Sequence, residues 1–532
     1  MVLDKSARLA KITECYLPLS LITLAIILFF WKFLFFGFAS DDFFHLWAAR
    51  FNNFNNFINF FSFGYSLNEI NYTFYRPLTT HVYYGLINKF FNLNPFPYHV
   101  VSLTIHIFNT LLVYKLFKLI AQEKIPRFAY LAAIFYGFNP SHAVTIGWAG
   151  VFQEIGVTFF ILLSILFFYK NLIHTKQLYF FASIGFFILA LFSKEVAIIL
   201  PFFLVLVVLF TDPKKNFLKT LPFFIVLIIY SYMRFIIYKF VQTEGYTFII
   251  NSQALNTLRW HIWWALGFPE IFTNFIGSKL TLNSRLWTEF LKESLIVFPL
   301  FIILNFSIIF STVAIAKKKI EGIFDKRVVL FASMYIIFLL PVIFLPQNKH
   351  AYHQTTSLAG FSIAFALILR KFVETKIDSH SLTAVVLSSS LPGVTIILGI
   401  ITRVFSLGIK YSNVIINIIV ISFLILSYIS VDLSRKHNFI FFRAKIADKL
   451  LSSFYEQYPN LGQNSIIYIK NDELTSSQGD DYKTGIQSYY ALRGPFAFRL
   501  LYGDNIDVYY EGVNKPPSDA DKSRLVEFVA KF

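Results

Sequence analysis

Long apolar runs recur from about residue 17 to residue 432, with only short polar gaps between most of them. A helix that crosses the bilayer core needs about 20 apolar residues, and a soluble fold could not hide so many runs of that kind. Only 14% of the residues are charged and the mean hydropathy is +0.60, whereas soluble domains carry about 25% charged residues. The sequence therefore predicts an all-α polytopic membrane protein.

The apolar runs predict about twelve transmembrane helices, with eleven to thirteen compatible with the short gaps. The predicted spans are residues 17–38, 98–120, 128–146, 154–170, 178–193, 195–211, 218–240, 293–316, 328–346, 351–370, 382–402 and 412–432.

The formal charge of +17 would suggest nucleic-acid binding in a soluble protein. Here the basic residues fall mainly in the short gaps, where they orient membrane helices, so no nucleic-acid partner is expected. The alternation of these gaps predicts a multi-pass membrane protein with a cytoplasmic N-terminus and a cytoplasmic C-terminus, and we expect the plasma membrane as its location. The gaps predicted outside are 39–97, 147–153, 194, 241–292, 347–350 and 403–411.

The composition changes after Arg435, where the long apolar runs end. We therefore predict a transmembrane domain at 1–437, with long outer loops at 39–97 and 241–292. Residues 438–532 are predicted to form a small soluble α/β domain. Its expected elements are an amphipathic helix at 444–458, strands at 465–470 and 506–510, and a closing helix at 518–532.

Charged groups beside apolar spans are costly, so each is a functional candidate. Each also has a structural explanation: the aspartates suit a helix start, an adjacent Lys–Glu pair can mark a turn, and two histidines are weak evidence for a metal. All the candidates nevertheless fall on one predicted side, although the topology came from basic residues alone. They predict one polar site at the outer helix ends, formed by Asp41, Asp42, Glu154, Lys194, Glu195, Lys349, His350 and His353.

Two carboxylates side by side, Asp41 and Asp42, could hold a divalent cation such as Mg²⁺ or Mn²⁺, or one could act as a general base. Arg76 could bind a phosphate, although a lone arginine is more often an interfacial anchor. The sequence contains no P-loop and no dinucleotide-binding glycine pattern, which argues against ATP-driven transport.

Several of these motifs occur in a recognisable order over roughly residues 15–370. Their order and spacing resemble the polytopic glycosyltransferases of the GT-C superfamily, in particular the protein O-mannosyltransferase-like branch and the membrane halves of TPR-containing mannosyltransferases. The motifs are Asp41-Asp42, 75–80 (YRPLTT), 94–109 (NPFPYHVVSLTIHIFN), 138–142 (FNPSH), 152–154 (FQE), 193–195 (SKE) and 350–352 (HAY).

This resemblance implies transfer of a sugar, a hexose such as mannose, from a polyprenyl-phosphate donor. The acceptor would be a hydroxyl of a protein, lipid or glycan at the outer or luminal face, within the cell envelope. Asp41 or Asp42 matches the catalytic base, and Glu154 matches a second acidic residue. The chain departs from many relatives in having Asp-Asp where they have Asp-Glu. The expected donor-phosphate residues are Arg76, Lys194, Glu195, Lys349, His350 and His353.

The sequence leaves two other functions open. A transporter or flippase for a lipid-linked sugar would also place polar groups among helices, although usually near the membrane midplane. A non-catalytic membrane scaffold is the second. Donor consumption in detergent distinguishes the transferase from both.

Overall fold

The computed structural model describes residues 2–62, 74–121, 126–237, 247–318, 325–374, 411–472, 483–518 and 521–532. The α-helices up to residue 231 are Val2–Phe30, Asp41–Ala48, Phe54–Asn59, Tyr83–Phe91, Phe96–Ala121, Arg127–Gly137, His142–Gly147, Phe152–His174, Gln177–Leu191, Leu200–Thr211, Pro213–Asn216 and Leu221–Ser231. The later ones are Gln253–Ala265, Arg285–Glu289, Leu291–Lys318, Lys326–Ile343, Thr355–Glu374, Ser412–His437, Phe439–Gln457, Thr484–Leu492 and Phe496–Tyr502.

Short helices of other geometry flank these α-helices, and many lie near the charged residues singled out above. Two are π-helices, Pro77–Val82 and Tyr232–Ile237. The 3-10 helices are Trp31–Phe35, Ala149–Val151, Glu195–Ile199, Phe217–Thr220, Glu270–Asn274, Pro346–Asn348, Ala351–Gln354 and Lys522–Arg524.

Eight helices among the described residues are long and apolar enough to cross a membrane, and two shorter apolar helices, Gln177–Leu191 and Glu195–Thr211, accompany them. The prediction of an all-α polytopic membrane protein with a small C-terminal α/β domain is confirmed. The predicted span at 382–402 lies outside the described residues. The eight are Tyr16–Phe35, Phe96–Ala121, Ala149–His174, Phe217–Ile237, Leu291–Val313, Lys326–Ile343, Ala351–Glu374 and Ser412–Gln457.

The helices Lys326–Ile343 and Thr355–Glu374 pack with their backbones in close contact. A Cβ added to Gly360 would lie 2.7 Å from both the carbonyl oxygen of Phe331 and the amide nitrogen of Tyr335. Small residues allow such close approach between membrane helices, where packing rather than the hydrophobic effect drives association. The segment 346–354 lies in the connection between these two helices.

The C-terminal residues form a three-stranded parallel sheet in the order β2-β1-β3, with β1 at Ile466–Lys470, β2 at Asp507–Tyr510 and β3 at Leu525–Val529. The two predicted strands match β1 and β2. The predicted closing helix at 518–532 is wrong, because residues 525–529 pair along the free edge of β1 instead. Phe528 and Ala530 are buried in the cluster beneath the sheet.

The described residues of 438–532, which carry this sheet, are called the sheet domain. The sheet domain packs on the first predicted outer loop, residues 39–97. One hydrophobic cluster joins Phe38, Phe43 and Leu46 to Phe454 and Ile467. The prediction that the C-terminus lies on the opposite face from this loop is therefore wrong.

The helix Ser412–His437 explains that error. Asn413 accepts a hydrogen bond from Arg127, at the start of its helix, while Ser430 near the other end donates to Gly267 in the second outer loop. The helix thus runs from the face predicted to be inner to the face predicted to be outer, the reverse of its predicted direction.

Candidate active site

The turn before the helix Asp41–Ala48 presents the two aspartates in different environments. Ser40 has φ 53° and ψ −120°, a left-handed conformation that costs energy in a residue other than glycine. The sheet domain holds this turn: the Ser40 amide donates to Ala491 O at 2.7 Å, and its hydroxyl donates to Tyr490 O at 2.8 Å. The strained turn therefore depends on the C-terminal domain.

Asp42 is buried, with 1% of its surface exposed. Its carboxylate accepts hydrogen bonds from the Ala39 amide at 2.9 Å, from the Tyr84 hydroxyl at 2.6 Å and from the Gly150 amide. Burial raises the pKa of Asp42 to about 7, and these hydrogen bonds oppose the rise. Its donors come from three separate segments, so Asp42 ties the first outer loop to the start of the helix that carries Glu154.

Asp41, the neighbouring carboxylate, remains accessible. Its side chain is 43% exposed, and its Oδ1 lies 3.1 Å from Nε of Arg493, which follows the helix Thr484–Leu492 of the sheet domain. Of the two aspartates, Asp41 is the one that an incoming group can reach.

Glu154 lies in the first turn of the helix Phe152–His174 and is 2% exposed. Its Oε1 contacts the ammonium group of Lys194 and lies 2.8 Å from Nδ1 of His353. The positive end of the helix dipole also favours a carboxylate at this position. Three separate segments of the chain thus converge on one buried acid.

Glu154, Lys194 and His353 form one ion-pair cluster, and a second cluster around Glu195 lies next to it. Arg76 contacts Oε2 of Glu195 through Nη2 at 2.7 Å and Nε at 2.8 Å, and Arg234 Nε lies 3.7 Å from Oε1 of the same carboxylate. The π-helix after Arg76 packs on the turn before Glu195, where Thr79 Oγ1 donates to Ser193 O at 2.6 Å.

The two clusters together hold three cations, Arg76, Lys194 and Arg234, against two carboxylates. With His353 neutral, the excess is one positive charge. Lys194 and Arg76 also interact electrostatically with each other. An anion such as a phosphate therefore suits this region, because the cations are already held in place.

The segment 346–354 brings the remaining predicted residues to the same face. The rings of His350 and Tyr352 stack at 5.0 Å, and the His350 Nδ1 atom lies 3.7 Å from the Glu270 carboxylate. Lys349 Nζ lies 5.9 Å from the centre of the Trp260 ring. The second outer loop, which supplies Glu270 and Trp260, thus holds this segment.

Trp148 and His45 connect the aspartate turn to the ion-pair clusters. The Trp148 indole donates to Ala39 O at 3.3 Å, and its ring centre lies 6.3 Å from that of Tyr352. Burial, together with the positive charges of Arg76 and Arg493, lowers the pKa of His45 to about 3. The predicted residues therefore occupy one continuous polar region.

Four residues of this region were missed by sequence reasoning. Arg234 carried a signal, since a lone arginine within the apolar run 218–240 meets the criterion used for the acids. Glu270 and Arg493 carried none, and neither did Arg443, whose guanidinium lies 5.0 Å from the centre of the Tyr490 ring. All three lie in polar segments where charged residues are common.

The two aspartates do not share one vacant coordination position. Asp42 is occupied by three hydrogen-bond donors, and Asp41 faces Arg493. Among the described residues, no three His, Cys, Asp or Glu side chains are grouped as metal ligands. This donor set does not fit a shared divalent cation. A requirement for Mg²⁺ or Mn²⁺ stays a prediction that turnover in EDTA would test.

No protein-family pattern and no curated protein sequence matches the chain significantly. Solved structures resemble it, including two of one protein. One is ArnT from Cupriavidus metallidurans bound to undecaprenyl phosphate, with a TM-score of 0.44, 11% identity, and coverage of 92% of this chain and 85% of that chain. The apo state of the same protein has a TM-score of 0.45 and 11% identity, with 90% and 83% covered. Likeness at this level leaves the function to be argued from the site itself.

Proposed function

We propose that this chain is a membrane glycosyltransferase of the GT-C type. It would move a hexose, with mannose the first to test, from a polyprenyl phosphate to a hydroxyl of a protein, lipid or glycan. The observation that carries the proposal is an accessible carboxylate, Asp41, in the same polar region as the buried cations Arg76 and Lys194. That region lies at one end of apolar helices, where a lipid-linked donor can reach it.

The reaction requires a base on one side of the sugar and positive charge on the other. The acceptor oxygen forms a bond to the sugar C1 while the bond from C1 to the phosphate oxygen breaks. The acceptor proton passes to the base, and the bonding electron pair leaves with the polyprenyl phosphate. A positioned base typically contributes about 10²–10⁴-fold to such a step, and fixed cations stabilise the leaving phosphate.

Asp41 is the base in this proposal, and Asp42 is a positioning residue. A base must reach the acceptor hydroxyl directly or through one water, and Asp41 is exposed enough to do so. Asp42 is enclosed by its donors and holds the turn that presents Asp41.

The donor phosphate would bind at Lys194 and Arg76, helped by Lys349 and His350 across the region. Glu154, Glu195 and His353 hold two of these cations in place. The excess positive charge of the clusters supports this role, since a phosphate neutralises it.

The site is proposed to face the outside of a plasma membrane, or an organelle lumen, with the N-terminus in the cytoplasm. The distribution of basic residues supports this orientation, because cytoplasmic gaps are enriched in lysine and arginine. The lipid bilayer supplies the donor laterally, so no soluble nucleotide-sugar site is required.

Donor turnover by the purified protein in detergent tests this proposal. The protein would be mixed with a panel of polyprenyl-phosphate sugars and a membrane extract as acceptor source, and release of free polyprenyl phosphate would be followed. We expect release with at least one hexose donor. A flippase would release no polyprenyl phosphate, because it moves the donor between the compartments of a vesicle without consuming it. A scaffold would also release none. Absence of release with every donor would therefore contradict the proposal.

A further inference from the structure

Arg443 is a cation without a carboxylate partner among the described residues. It lies on the helix Phe439–Gln457, and its guanidinium is 5.1 Å from the centre of the Phe439 ring and 5.0 Å from that of Tyr490. The two rings hold the guanidinium in place and attract it through cation–π interactions. A half-buried cation that is kept unpaired in this way is suited to an anionic ligand.

The position of Arg443 is beside the candidate base. Arg443 interacts electrostatically with Asp41 and Arg493, and Phe439 lies 5.8 Å from the His350 ring, between centroids. Arg443 therefore stands between the aspartate turn and the 346–354 segment.

Arg443 and Arg493 carry two positive charges against the single charge of Asp41. Both belong to the C-terminal part of the chain. The cations assigned to the donor phosphate, Arg76 and Lys194, are paired with other carboxylates. The polar region therefore contains a second place for an anion.

We propose that Arg443 and Arg493 bind a negatively charged group of the acceptor, next to the hydroxyl that Asp41 deprotonates. The assignment of the anion to the acceptor rests on the proposed function, whereas the existence of an anion site at these two arginines does not. The anion would replace Asp41 as the partner of Arg493, because a guanidinium can hold an oxyanion through two parallel hydrogen bonds. Asp41 is then released to accept the proton.

The acceptor is the favoured source of this anion because of where the base lies. A base takes its proton from the acceptor and so lies on the acceptor side of the sugar, while the leaving phosphate lies on the other side. The donor phosphate offers the same chemistry, so the experiments must separate the two sources.

The first experiment measures binding of inorganic phosphate to the full-length purified protein by ³¹P line broadening. We expect Arg443→Gln and Arg493→Gln each to weaken binding about tenfold, the effect of removing one hydrogen bond to a charged group. Asp41→Asn should tighten binding, because it removes the carboxylate that competes for Arg493. Binding unchanged in both arginine variants would overturn the proposal.

Asp504→Asn is the matched control for the Asp41 variant. Asp504 also pairs with an arginine at the same domain contact, since Arg50 Nη2 lies 2.7 and 3.0 Å from its two carboxylate oxygens. Removal of this charge should leave phosphate binding unchanged. If Asp504→Asn tightens binding as much as Asp41→Asn, the effect is general electrostatic attraction and the specific site is excluded.

The second experiment identifies the source of the anion. A membrane extract would be separated by anion exchange, and donor turnover would be measured with the acidic and the neutral fractions. We expect the acidic fraction to stimulate turnover, with the KM for that fraction raised in Arg443→Gln and the KM for the donor unchanged. Stimulation by the neutral fraction alone, or a raised donor KM, would overturn the acceptor assignment.

The two experiments keep this inference separate from the proposed function. Intact phosphate binding without any donor turnover would contradict the proposed transferase function and support the anion site. Normal turnover without phosphate binding at the two arginines would support the transferase function and contradict the anion site.

Discussion

Glu154 and Lys194 form an ion pair in which both side chains are mostly buried, with exposures of 3% and 14%. Removal of one partner leaves a buried charge without compensation, and this typically costs about 3–5 kcal/mol. We expect Glu154→Gln to lower the thermal midpoint in detergent strongly, and Lys194→Met in the same chain to restore part of the loss.

The exposed pair Arg285–Glu289 provides the control for this prediction. Glu289→Gln should change stability by less than about 0.5 kcal/mol, because exposed helical pairs contribute little. A Glu154→Gln, Lys194→Met protein that is less stable than Glu154→Gln alone would contradict the interpretation.

Asp42 makes stability depend on pH. Its pKa is raised from an ordinary value of 3.8 to about 7, so between these values the native protein binds the proton and the unfolded chain does not. The resulting stabilisation is complete below the lower value and is lost as the pH rises through the higher one. Relative to Asp42→Asn, which does not titrate, the wild type should therefore lose stability from pH 5 to pH 8.

Thermal midpoints of both proteins across this pH range provide the measurement. His45 and His81 have pKa values lowered to about 3 by burial. Their contribution has the opposite sign and cancels when the two proteins are compared. A constant difference between the midpoints would show that Asp42 keeps one protonation state throughout.

At the level of single residues, the sequence indicated which charged residues lie close together better than it indicated the environment of each one. Charges beside apolar runs are costly, so Asp41, Glu154 and Lys194 were conspicuous, and the structure brings all three to one polar region. Arg443 and Arg493 could not be recognised, because the sequence of a polar segment does not show that it will pack near a distant residue such as Asp41.

At the level of elements, the close helix contact at Gly360 gives a direct test of packing. Gly360→Ala would place a Cβ 2.7 Å from backbone atoms of the neighbouring helix, so the helices must separate. We expect a loss of about 1–3 kcal/mol, as for other overpacking substitutions, and a lower thermal midpoint.

Gly185→Ala is the matched control, since a Cβ at Gly185 meets no atom within 4 Å. Alanine is the better helix former by about 1 kcal/mol, so this variant should be as stable as the wild type or more stable. Equal destabilisation of the two variants would contradict the packing argument.

Elements were predictable where periodicity and length decide them, as in the apolar helices and in strands β1 and β2. Residues 518–532 were predicted as a helix and contain a strand. Val526, Phe528 and Val529 are residue types enriched in strands, but the local sequence does not show which strand they pair with. The free edge of β1, distant in sequence, accepts residues 525–529 in parallel register.

At the level of the whole molecule, the fold places the sheet domain and the first outer loop on the same face. Single cysteines in a Cys15→Ser background can test this arrangement, because Asn55, Asn505 and Asp212 are exposed. We expect an impermeant maleimide to label Asn55→Cys and Asn505→Cys from the same side of sealed vesicles.

Asp212→Cys should be labelled from the opposite side only. Asp212 lies beside Thr175, just beyond the far end of the helix that carries Glu154 in its first turn. Labelling of Asn505→Cys together with Asp212→Cys would contradict the described packing and restore the topology predicted from the charge distribution.

The different surroundings of the two aspartates make the proposed reaction directly testable. Release of polyprenyl phosphate would be measured for wild type, Asp41→Asn and Asp42→Asn, with the thermal midpoint of each protein recorded. Asp41→Asn should keep the wild-type thermal midpoint, and its turnover should fall by about 10²-fold or more. The main effect of Asp42→Asn should instead be a lower thermal midpoint. Full turnover by a folded Asp41→Asn protein would contradict the assignment of Asp41 as the catalytic base.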